Sequence, residues 1–115
     1  MFVQKSPLTF FASTDLAEGR FVTITKSDNT VAYTSAAAEA DAITISEAES
    51  GEAVSVQMLS DTSSTFLMEC GGTVSKGGNV EVGSNGKAVP EDAGAVVAIA
   101  KKAGVSGALI EGYNI

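Results

Sequence analysis

The sequence predicts an all-β fold, a compact small barrel or sandwich of short antiparallel strands with at most one or two short helices. Three observations carry this expectation. Short β-branched runs recur along the whole chain. Several alternate with period two, as in Val54-Ser55-Val56-Gln57-Met58, where the apolar residues share one face. Turn pairs, Gly77-Gly78 and Asn85-Gly86, punctuate the runs and supply the positive φ that tight turns need.

Taken in order, residues 1–14 read as an extended N-terminal arm and residues 15–115 as a single β-rich domain. Three of the five phenylalanines, Phe2, Phe10 and Phe11, fall in the arm, and Pro7 forbids an uninterrupted helix there. Ser13 to Gly19 reads as a turn. Arg20 to Thr25 alternates as a strand, and Ser27-Asp28-Asn29-Thr30 connects it to Val31-Ala32-Tyr33. The alanine-rich stretch Ser35 to Asp41 suits one or two helical turns. Ala42 to Ile45 is a short strand, Ala53 to Leu59 the most regular one, and Thr65 to Cys70 its returning partner. Val80 and Val82 face one side and Glu81 the other. Ala95 to Ala100 is a continuous apolar run, and a Gly-rich turn at 104–107 leads to a last strand at Ala108-Leu109-Ile110. Val54, Val56, Met58, Phe66, Met68, Val80, Val82, Val97 and Ile99 are expected to share one core. No repeat with a spacing of roughly 20–50 residues stands out, which argues against a solenoid.

The composition excludes several functions. Fourteen acids against seven bases give a net charge of −7, which disfavours nucleic acid and anionic membranes as partners. No stretch is long enough to span a bilayer. Without histidine there is no Ser-His-Asp triad and no histidine metal site. Cys70, the single cysteine, forms no intrachain disulfide, and its spacing with Phe66 and Met68 marks it as a buried apolar residue. Glu39, Asp41, Glu47, Glu49 and Glu52 lack calcium-loop spacing and read as a solvated acidic face. The expectation is no catalytic residue, no cofactor and no metal. The candidate partner-binding residues are those of the arm: Phe2, Val3, Lys5, Leu8, Phe10 and Phe11, since exposed phenylalanines in such number mark interaction surfaces; the alternative is that the segment is an edge strand packed on the domain's own core.

Two segments carry a family resemblance. One is Asp41 to Val56, with Gly51-Glu52-Ala53-Val54-Ser55-Val56 at its end. The other is Cys70-Gly71-Gly72-Thr73-Val74-Ser75-Lys76-Gly77-Gly78-Asn79-Val80, followed by Gly86-Lys87-Ala88-Val89 and Val97-Ala98-Ile99-Ala100. In this order they resemble the head-decoration, or capsid-cement, proteins of tailed bacteriophages, over residues 16–111. The chain departs from that pattern at Asn79, where aspartate is frequent, and at Ala98, where glycine is common. The resemblance implies a small β-rich virion protein, commonly trimeric and without enzymatic activity. Synthesised in the host cytoplasm, it would bind the outer surface of the assembled capsid at three-fold positions. Its partners would be the major capsid protein lattice and its own copies, and it would cement neighbouring coat subunits. The alternative is a non-enzymatic β-rich binding or adhesion module, or a subunit of another symmetric assembly.

Overall fold

The computed structural model describes residues 8–25, 27–59 and 65–113. It is all-β. Five strands, β1 (Leu8–Ala12), β2 (Phe21–Thr25), β3 (Thr30–Tyr33), β4 (Ala42–Thr44) and β5 (Ala53–Met58), close a barrel in the order β1-β3-β2-β4-β5. Five more, β6 (Thr65–Glu69), β7 (Asn79–Val82), β8 (Ala88–Pro90), β9 (Ala98–Ala100) and β10 (Leu109–Tyr113), form a sheet in the order β6-β10-β9-β7-β8.

Within the barrel all pairings are antiparallel except β1 with β3, which run parallel through Phe11 opposite Thr30 and Ala12 opposite Val31. Parity requires this. Directions cannot alternate around a closed ring with an odd number of strands, so one neighbouring pair must point the same way. Residues 8–12, placed in the arm by the sequence, form β1 and supply the strand that closes the ring.

The second sheet repeats the first. Cys70, directly after β6, makes a parallel bridge to Ala88 of β8, the counterpart of the parallel pairing of β1 with β3. Outside the strands, Leu16 bridges Ala48 in the first half and Val74 bridges Gly104 in the second. Many backbone hydrogen bonds correspond. Gly19 N–H donates to the Thr44 carbonyl at 3.0 Å, and Gly77 to Ala100 at 2.8 Å; Ala12 donates to Glu52 at 2.9 Å, and Cys70 to Ala108 at 2.8 Å. The left-handed glycines correspond too: Gly19 (φ 75°) with Gly77 (φ 78°), and Gly51 (φ 86°) with Gly107 (φ 90°). The chain is therefore two tandem copies of one five-stranded unit. The spacing is about 56–58 residues, beyond the range of common short repeats.

The expected single core is two clusters. Val54 and Val56 fill the first barrel with Ala12, Leu16, Val22, Val31 and Ala42, and Met58 packs against them half-buried. Phe66, Met68, Val80, Val82 and Val97 belong to the second cluster. Ile99 is only half-buried, because Ala98 and Ala100 turn inward on β9 and leave it on the outer face. The second cluster also takes Phe21 and Ile43 from the outer face of the first barrel, 0% and 1% exposed. Val22 and Ala42 beside them point inward, so both faces of β2 and β4 are covered at this point. Phe21 meets Phe66 edge to face, with centroids 6.3 Å apart at 85°.

Two local expectations are corrected. The alanine stretch after β3 forms a turn instead of helix. Ala37 takes φ 66°, its N–H donates to Val82 O at 2.9 Å, and its carbonyl accepts from Ala95 at 3.0 Å. Contact with the second unit thus outweighs alanine's helical preference, which is weak over so few residues. Glu81 does not face solvent. It is 9% exposed, and its carboxylate accepts from Asp92 N–H at 2.6 Å and Gly94 N–H at 2.9 Å, holding the loop before β9.

Candidate interaction surfaces

Arg20 sits where the two units meet, directly after the left-handed Gly19 that turns the chain into β2. Its Nε and Nη2 donate to Glu69 Oε1 at 3.3 and 3.1 Å, and its Nη1 donates to the Asn85 carbonyl at 3.0 Å. The guanidinium lies 5.6 Å from the centre of the Tyr33 ring, and Lys87 Nζ approaches the other Glu69 oxygen at 3.8 Å. This planar fork spans both units and suits arginine alone. Arg20→Ala is expected to lower stability by about 2–3 kcal/mol, with Arg20→Lys recovering less than half of the loss. Urea unfolding checks this, and equal stability of all three proteins would show the clasp to be idle.

The arm residues divide. Phe2, Val3 and Lys5 lie outside the described residues. Leu8 opens β1 opposite Val56. Phe10 is half-buried against the core of the first unit, whereas Phe11 is 51% exposed on the outer face of β1. Of these two phenylalanines, Phe11 is the one open to a partner.

Between the units runs a cleft with Ile43, Ile45, Phe66 and Leu67 along it and Glu18 and Glu111 among its polar neighbours. Ile45 and Leu67 are exposed, and Gln57 Nε2 in the same cleft is buried without a hydrogen-bond partner among the described residues. The expected acidic face is present: Glu39, Asp41, Glu47, Glu49 and Glu52 are all exposed. Asp15, Glu47, Glu49 and Glu52 line a shallow groove at one end of the first unit. The equivalent groove of the second unit is lined by Thr73, Lys76, Ala103, Val105 and Ala108. Sequence reading did not single out this second groove. The repeat was the signal that identifies it.

Cys70 is fully buried, as its alternation with Phe66 and Met68 implies. Burial pushes its thiol pKa up, and the neighbouring Glu69 charge adds to that. Both effects suppress the thiolate. Ellman's reagent is therefore expected to titrate Cys70 only after unfolding, and rapid native-state labelling would contradict this packing. Among the described residues no three His, Cys, Asp or Glu side chains come together as a metal site, and no helix is long and apolar enough to cross a membrane.

Fold and geometry define a class: an all-β protein of two fused five-stranded units whose candidate sites are surfaces. No family model and no curated protein matches the chain. Among solved structures, the N base of head fiber gp8.5 of bacteriophage phi29 is similar, with a TM-score of 0.81 and 19% sequence identity. The match covers 94% of this chain and 92% of that one, so the fold is shared from end to end.

Proposed function

We propose that this protein is a structural component of a phage virion that binds the outer surface of the assembled capsid. The observation that carries the reading is the nearly full-length likeness to a phage head fiber base. It agrees with the resemblance of residues 16–111 to capsid-cement proteins, which came from motifs alone. In this reading the chain acts as a homotrimer, cements neighbouring coat subunits and catalyses nothing. A protein that binds only the assembled lattice stabilises it by mass action, and three linked copies gain avidity. Phe2, Val3, Lys5, Leu8, Phe10 and Phe11 belong to its contact with the coat lattice or a neighbouring copy. Phe11, with half its surface open, is the described residue best placed for this.

The test uses phage heads that lack the protein. Added chain is expected to decorate them and to raise the temperature at which they release DNA. Deletion of residues 2–7, which spares β1, and Phe11→Ser are each expected to weaken decoration by about tenfold, the loss of one buried aromatic contact. Unchanged binding by both variants would remove the arm from the contact. No binding by the wild-type chain would remove the capsid. A second reading follows from the phi29 neighbour, that of a base from which a fiber projects. It is favoured if decoration occurs without any gain in head stability.

A further inference from the structure

The tandem repeat allows one unit to be compared with the other, position by position, on the same backbone. At the loop end of the first unit, Asp15, Glu18, Glu47, Glu49 and Glu52 are all exposed. The equivalent positions in the second unit, set by the Leu16–Ala48 and Val74–Gly104 bridges, hold Thr73, Lys76, Ala103, Val105 and Ala108. Every one of the five acids is absent there. One position carries the opposite charge, and another carries valine at 63% exposure. The preceding loop adds Lys101 and Lys102 where the first unit has Ile45 and Ser46. Lys102 approaches Glu111 at 3.9 Å, while Lys76 and Lys101 make no ion pair among the described residues.

The second end places the exposed Val105 beside its lysines, so it offers both charge and apolar area where the first end offers carboxylates. The two ends share backbone geometry and differ in charge, so they are complementary in sign. We propose that the groove of the second unit, with Lys76, Lys101 and Val105, docks the acidic end of the first unit of another copy of this chain. The contact joins two different patches and is therefore heterologous. Such contacts close into a ring when successive rotations complete a turn, as three copies do at 120°, and otherwise extend into a filament. The inference rests on the self-association proposed above and names the surface that would provide it.

The experiment is sedimentation velocity on the full chain at low and high salt, with two charge-altered variants checked for native circular dichroism. The first is Lys76→Glu with Val105→Glu, and the second is Glu47→Lys with Glu49→Lys. Wild type is expected to associate, and less so as salt screens the contact. Each variant alone is expected to associate at least about tenfold more weakly. An equimolar mixture is expected to regain association, because glutamates in one groove then face lysines on the other end. A wild type that stays monomeric at every salt concentration overturns the proposal, as does a mixture that fails to reassociate. Variants that remain as associated as wild type overturn this surface while leaving self-association itself standing.

Discussion

Gly86→Ala is expected to destabilise the protein by about 2–5 kcal/mol. Two costs combine. Gly86 sits at φ 72°, a region that penalises any Cβ. A Cβ there would also lie 2.5 Å from the Phe21 carbonyl oxygen and 3.1 Å from Tyr33 Cδ1. The nearest obstacle is backbone of the other unit, which cannot swing aside as a side chain can. Gly51 and Gly107 provide the control. Both have positive φ, 86° and 90°, and neither would bring a Cβ within 4 Å of another group. Alanine at either should cost only the conformational part, about 1–2 kcal/mol. Urea midpoints for the three variants separate strain from collision. If Gly86→Ala is no worse than Gly107→Ala, the units do not approach as closely as described.

Phe21→Ala is expected to cost about 3–5 kcal/mol, the usual range for emptying a buried aromatic site. The more telling outcome concerns cooperativity. Phe21 grows from the first barrel yet is buried in the second cluster, with its ring edge-to-face on Phe66. Its removal weakens the layer that makes two units unfold as one. Calorimetry is expected to show a single transition for wild type and a broadened or split one for the variant. A variant that loses stability yet keeps one sharp transition would mean that the units are coupled mainly elsewhere, through Arg20 and Glu69 or through the Ala37 backbone with Val82 and Ala95.

Period-two alternation identified β5, β6 and β7 from sequence, because apolar spacing maps directly onto the faces of a strand. It failed where both faces are covered. Beside Val22, Phe21 is buried by the second unit, and Glu81 is buried by the loop it holds, so neither follows the rule of one wet face. On β9 the small Ala98 and Ala100 face the inside while the larger Ile99 stays half-buried on the outer face. Among the arm residues, Phe10 and Phe11 looked equivalent in sequence. Their separation into half-buried and exposed follows from the register of β1 on β5.

The repeat escaped sequence reading because the units keep their turns and lose most of their side chains. Ala42-Ile43 matches Ala98-Ile99 and Ser50-Gly51 matches Ser106-Gly107, while Leu16, Val31 and Val54 correspond to Val74, Ala88 and Ile110. Core positions require volume rather than identity, so the sequence signal fades while the hydrogen bonds persist.

Local structure is legible in the residues alone. β-branched alternation made strands, left-handed glycines and asparagines made turns, and the absence of histidine excluded a Ser-His-Asp triad and histidine metal ligands. How the elements stand to one another is a property of the assembled fold. Five strands closed a ring, and an odd ring demanded one parallel pair. The strand order was built twice, and one outer face, Phe21 with Ile43, became interior to the whole. A strand's pattern states which side wants to be dry, but closure and stacking decide what lies against that side. Those depend on contacts between residues some 50 positions apart, which no local spacing encodes.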